Sequence, residues 1–138
     1  MIMKTTDCKI LNLPKIADGR GNLSIIEEYK QIPFKICRSY WIYDVPGGCE
    51  RGGHAYKKNT EFIVALSGSF DVVVNDGTNE QTFHLNRSYM GLLVPQGLWR
   101  VMNNFSTNSL ALILSDTEYD AGDYIMDYED YRKWNNQR

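Results

Sequence analysis

Short runs of apolar, aromatic and β-branched residues, each stopped within eight positions by a turn of glycine, proline, asparagine or serine, leave this chain little choice but a stack of strands. One run covers residues 36–43 and stops at Val45-Pro46-Gly47-Gly48. Another, residues 61–66, runs into Ser67-Gly68. Residues 70–74 and 81–85 flank Asn75-Asp76-Gly77-Thr78-Asn79, whose Asp-Gly pair marks a hairpin. Residues 89–94, 98–103 and 110–114 follow at the same pace. This spacing predicts an all-β sandwich or barrel. The stretch from Asp120 to Trp134 differs: Tyr124, Ile125, Tyr128, Tyr131 and Trp134 recur near helical spacing, with acids ahead and Arg132 and Lys133 near the end. It predicts one short C-terminal helix packed on the strands. With 138 residues, no repeat and no linker, residues 1–138 are expected to form a single domain.

Charge narrows the partners. Fifteen Lys and Arg against seventeen Asp and Glu leave a net charge of −2, with no positive excess to drive binding to a phosphate backbone, so no nucleic acid partner is expected. No apolar run approaches the roughly 20 residues that cross a bilayer, so no membrane is expected either. The opening residues Met1 to Asp7 lack a charged-then-apolar leader, which predicts a cytoplasmic protein. Cys8, Cys37 and Cys49 are odd in number and lack C-x-x-C spacing, so they read as reduced thiols.

The most specific pattern lies between Gly48 and Gly68: Gly48, five residues, His54-Ala55-Tyr56, four residues, Glu61, six residues, Gly68. It resembles the first cupin motif, with Tyr56 in place of a second histidine. Pro95-Gln96-Gly97-Leu98-Trp99-Arg100 with Asn104 resembles the second motif, with Arg100 in place of its histidine. The resemblance implies a cupin double-stranded β-helix, or jelly roll. On a strand, His54 and Tyr56 share a face, here expected to be the inner one. In metal-binding cupins the positions of His54, Tyr56, Glu61 and Arg100 hold the ion. A guanidinium offers only donors and repels a cation, so neither a metal nor another cofactor is expected. His84, in a polar hairpin strand, reads as a surface residue. An imidazole with a pKa near 6.5 is a usable base at neutral pH, and arginines suit phosphate. Together they point to proton transfer on an anionic sugar derivative.

Several segments also resemble a narrower family: Asp18-Gly19-Arg20-Gly21-Asn22-Leu23, Arg38-Ser39-Tyr40-Trp41, Arg51-Gly52-Gly53-His54-Ala55-Tyr56-Lys57-Lys58, Leu98-Trp99-Arg100 and Tyr119-Asp120-Ala121-Gly122-Asp123-Tyr124. They look like the dTDP-4-keto-6-deoxyglucose 3,4-ketoisomerases. The resemblance implies a metal-independent homodimer acting on a dTDP-linked keto sugar in deoxysugar biosynthesis. It implies His54 as the base at C3, and Arg20, Arg51 and Tyr40 around the nucleotide sugar. Arg100 is expected to face the cup. Glu61 is expected either to join these contacts or to pair with an arginine. Tyr56 departs from the family pattern, which has histidine there, and is expected to relay protons between the sugar oxygens. Members differ in C4 configuration at the positions of Arg20 and Arg100, and this chain carries arginine at both. Two other readings stay open: a non-catalytic nucleotide-sugar-binding cupin, and a 3,5-epimerase of the same keto sugar.

Overall fold

The computed structural model describes residues 2–138. Two five-stranded antiparallel sheets face each other. The first has the order β1 (Lys9–Asn12), β9 (Met90–Val94), β6 (Glu61–Ser67), β11 (Leu110–Ser115), β4 (Arg38–Tyr43). The second has the order β12 (Tyr124–Ile125), β5 (Arg51–Tyr56), β10 (Trp99–Asn103), β7 (Phe70–Asn75), β8 (Glu80–Leu85). Sequence neighbours repeatedly land in opposite sheets, as in the jelly roll of the cupins. A separate hairpin, β2 (Lys15–Asp18) and β3 (Gly21–Ser24), has every residue exposed. No helix among the described residues is long and apolar enough to cross a membrane.

Period-two alternation sorts the side chains. On β6, Ile63 and Ala65 point between the sheets, while Phe62 and Val64 pack outward under Leu13, Ile32 and Phe34. The interior of the roll is filled by such inward residues as Phe70, Val72, Leu92, Met102 and Ile113, all 0% exposed. Toward one end the same inward rows turn polar. Glu61 precedes Ile63 on β6, Arg100 precedes Met102 on β10, and Arg38 and Tyr40 precede Ile42 on β4. The aliphatic end supplies the core and the polar end is left for chemistry.

The C-terminal helix, α1, runs from Tyr128 to Asn136, shorter than the sequence pattern suggests. Asp127 caps it by accepting from the Asp130 amide at 3.1 Å, and Glu129, Asp130 and Lys133 complement its dipole. Tyr131 fills the space against Ala55 and Ile125 and donates to the Gly97 carbonyl at 2.9 Å. Upstream, Asp120 accepts from the Gly122 amide and closes one tight turn. The Asp123 carboxylate then accepts from the Lys58 and Asn59 amides. These anchors pull Tyr124 and Ile125 out of the helix and into the second sheet beside Tyr56 and Ala55. Tyr124 therefore faces the interior of the roll rather than a helical stripe.

Candidate active site

The polar end of the roll holds a cavity of about 430 Å³. Its wall includes Arg38, Tyr40, Arg51, His54, Tyr56 and Arg100. A slightly larger groove of about 480 Å³ lies on the outer face of the second sheet, lined by Trp99, Tyr128, Glu50 and Glu80, and brings together no imidazole or guanidinium.

A fault in one strand builds one wall of the cavity. Across from β10, Arg100 pairs with His54 and Met102 with Arg51, so Gly52 and Gly53 together oppose the single residue Val101. This β-bulge adds one residue to β5. In a regular strand Arg51 and His54, three apart, would point to opposite faces. The added residue puts both on the inner face. Gly52 supports the bulge with φ +72°. A Cβ there would sit 2.2 Å from Nη1 of Arg100. Replacing Gly52 with alanine is expected to lower stability by about 1–3 kcal/mol through strain and overpacking. It should also displace the guanidinium; a thermal melt and an activity assay would register both losses, and an unchanged melt would contradict this packing.

Beneath the cavity lies a buried charge pair. Arg100 and Glu61 are each 1% exposed. Arg100 Nε donates to Glu61 Oε1 at 2.7 Å, and its Nη2 donates to the Tyr40 hydroxyl at 3.0 Å. Tyr40 donates in turn to Glu61 Oε2 at 2.5 Å. Both carboxylate oxygens are thus engaged by protein donors. The Arg100 cation holds Glu61 below the usual carboxylate range despite complete burial, and the anion raises Arg100 in return. Glu61 lies under the site and orients the groups above it.

Two buried nitrogens beside this pair, His54 Nε2 and Arg100 Nη1, have no hydrogen-bond partner among the described residues. Burial, reinforced by the positive charge of Arg100, pushes the His54 pKa down to about 3. The imidazole is therefore neutral at pH 7 and able to accept a proton. Tyr56 stands edge-on to it, ring centroids 4.8 Å apart. Burial and then the Glu61 charge drive the Tyr56 pKa well upward, so its hydroxyl keeps its proton. Tyr56 contacts Tyr40 and Tyr124 through its oxygen, each at 3.3 Å.

Of the residues expected in the site, His54, Tyr56, Tyr40, Arg51 and Arg100 line the cavity together, and Glu61 supports them from below. Arg20 does not reach it within one chain. It sits at the tip of the β2–β3 hairpin, its side chain 92% exposed and paired with Asp18 at 2.8 Å. His84 is on the surface, with Nδ1 2.6 Å from Asp71. Arg38 and Tyr124 are among the wall residues that lacked an expected role. Arg38 shares the inward face of β4 with Tyr40, a spacing of two that signals its position. Tyr124 arrives by strand pairing, which no local pattern announces.

Residues 6–136 match the family described as "FdtA: WxcM-like, C-terminal". The chain is 40% identical over 126 residues to the TDP-4-oxo-6-deoxy-alpha-D-glucose-3,4-oxoisomerase of Aneurinibacillus thermoaerophilus, covering 91% of each protein. It superposes on the crystal structure of a 3,4-ketoisomerase from Helicobacter canadensis with TM-score 0.92 and 39% identity, over 94% of this chain and 98% of that one. With QdtA, a sugar 3,4-ketoisomerase from Thermoanaerobacterium thermosaccharolyticum solved in complex with TDP, the TM-score is 0.94 at 31% identity, over 98% of each chain. A wall of His54, Arg51, Tyr40 and Arg100 in a cupin roll, and relatives named for one isomerisation along nearly the whole length, place this chain in the FdtA, WxcM-like C-terminal family of sugar 3,4-ketoisomerases.

Proposed function

We propose that this protein converts dTDP-4-keto-6-deoxyglucose to a dTDP-3-keto-6-deoxyhexose for deoxysugar biosynthesis. The observation that carries the reading is the pairing of a neutral, buried His54 with the Arg100 cation in one cavity wall, each with a nitrogen free of protein partners. A hydrogen on C3, next to the C4 ketone, is the acidic one. His54 removes it, the C3–H electron pair becomes the C3=C4 bond, and charge collects on O4. The guanidinium of Arg100 stands ready for that charge. The charge of Glu61 offsets part of the repulsion between Arg100 and the imidazolium formed at the same moment. Returning the proton to C4 while the O3 proton is lost and O4 gains one completes the shift. C3 is oxidised and C4 reduced within one molecule, so the reaction calls for no external oxidant or reductant. Tyr56 is the middle member of the Tyr40–Tyr56–Tyr124 hydroxyl chain that serves the oxygen-side proton transfer. A divalent metal does not fit this donor set, since Arg100 occupies the place of a ligand and its charge opposes a cation.

Arg51, at the cavity mouth, suits the diphosphate. A homodimer belongs to the same reading. The hairpin carries Ile16 and Leu23, 55% and 54% exposed, with Arg20 at its tip, and a second copy laid against it would bury both and give Arg20 a cleft to enter. A cytoplasmic setting fits three free cysteines, Cys8, Cys37 and Cys49.

Incubation with dTDP-4-keto-6-deoxyglucose, followed by carbon NMR, is expected to show the ketone leaving C4 and appearing at C3. Inversion at C5 with the ketone still at C4 would make the protein an epimerase. TDP binding without any change in the sugar would make it a binding module.

A further inference from the structure

Tyr124 is bound on two sides and free on the third. Its oxygen accepts from the Tyr56 hydroxyl at 3.3 Å and from Arg38 Nη1 at 3.4 Å. Its own proton has no acceptor among the described residues, and the side chain lines the cavity. The register explains the placement: Tyr124 pairs directly with Tyr56 across β12 and β5, so both rings project from the same face, centroids 4.7 Å apart. The His54 ring lies 5.1 Å from that of Tyr124 and 4.8 Å from that of Tyr56. An unspent hydroxyl proton therefore sits beside the base.

The other two tyrosines of the buried hydroxyl chain are less suited to giving up a proton. Tyr40 is committed to Glu61 at 2.5 Å. Tyr56 is buried close to the same carboxylate, which opposes negative charge on its oxygen. Tyr124 stands farther along the chain of hydroxyls and touches a guanidinium instead. Arg38 is also held over the Tyr40 and Tyr119 rings, at 5.3 and 5.7 Å, which fixes its cation near the Tyr124 oxygen.

We propose that Tyr124 is the group that protonates and deprotonates the sugar oxygens, with Arg38 as its counter-charge and Tyr56 as the donor that holds it in place. The proposal rests on the ketoisomerase reading above. As His54 takes the C3 proton, the Tyr124 O–H bond breaks, its proton goes to O4, and its electron pair stays on a phenolate facing Arg38. As the enediol collapses, O3 returns one proton to Tyr124 while the imidazolium delivers the other to C4. Tyr124 and His54 both end as they began.

Tyr124→Phe in the full-length enzyme should slow ketone migration by about 100-fold or more, with TDP affinity by calorimetry within about threefold of the wild type. Arg38→Met should reproduce much of the kcat loss, and Arg38→Lys should recover part of it. To guard against a fold defect, 3,5-difluorotyrosine placed at position 124 preserves the shape and makes the phenol more acidic. It should shift the alkaline limb of the kcat profile to lower pH, and the same residue at position 56 should not. A Tyr124→Phe enzyme within about threefold of wild-type kcat, or a limb that moves with position 56 or with neither, would overturn the assignment while leaving ketoisomerisation intact. A wild-type enzyme that binds TDP but moves no ketone would instead remove the reaction and this proposal with it.

Discussion

Replacing His54 with asparagine is expected to slow ketone migration by about 10³-fold or more, near the upper part of what a general base contributes, while TDP affinity stays within about threefold. Asparagine fills similar space and can hydrogen-bond, but it cannot carry a proton away from carbon. The nucleotide contacts proposed for Arg51 lie at the mouth, apart from the buried ring, so binding and chemistry should separate. A variant that kept more than about a tenth of the wild-type rate would remove His54 from the reaction. The same substitution has a signature in stability. In the unfolded chain a histidine takes up a proton below about pH 6.5, whereas His54 in the folded protein resists until about pH 3. Its depressed folded pKa means the unfolded state binds more protons in that window. The contribution is fully present above about pH 6.5 and is lost as the pH falls toward 3. Urea titrations across that range should show a shallower acid loss in His54→Asn than in the wild type.

The second large effect concerns the pair beneath the cavity. Glu61→Gln leaves the Arg100 guanidinium, 1% exposed, without a counter-charge, and breaking such a buried pair costs about 3–5 kcal/mol. It should also loosen Tyr40, which donates to the same carboxylate, and depress kcat together with stability. Replacing both partners, with Glu61→Leu and Arg100→Met, should behave differently. No charge is then left buried, and well-packed apolar side chains of similar volume often restore stability. That double variant is expected to fold near wild-type stability and to be inactive, since the cation facing the sugar oxygen is gone. Denaturant titration and the NMR assay together test the pair. A loss below about 1 kcal/mol in Glu61→Gln would mean that solvent screens the pair, contrary to its burial.

Much of this arrangement is legible in the chain itself, because its strands obey simple alternation. Turn residues bracket the runs that become β4 and β6 through β11. Spacing of two puts His54 and Tyr56 on one face, and the two cupin-like motifs bring Glu61 and Arg100 to the same end. What escapes depends on pairing between distant segments. β1, β2 and β3 are four residues each, mostly exposed, and too short to show a hydrophobic alternation; β1 pairs with β9. Tyr124 obeys a helical spacing with Tyr128 and Tyr131, yet the Asp120 turn and the Asp123 anchors recruit it to a sheet. The shared face of Arg51 and His54 requires a bulge, for which Gly52-Gly53 is at best a hint. Arg20 lies in a segment that resembles the family, but its hairpin lies away from the cavity of its own chain. Residue identity and short-range spacing thus forecast the strands and most of the residues that meet in the cavity, whereas register and reach had to come from the folded chain.

The account turns on one buried imidazole carrying hydrogen from C3 to C4, and the fate of deuterium tests this most directly. Conversion of dTDP-4-keto-6-deoxyglucose in deuterium oxide should yield a 3-keto product with deuterium at C4 in the turnovers where the His54 imidazolium exchanges with solvent before reprotonation, none at C5, and about 10³-fold less product with His54→Asn. Deuterium at C5 with the ketone still at C4, or label entering the sugar at more than about a tenth of the wild-type rate when His54 is asparagine, would contradict it.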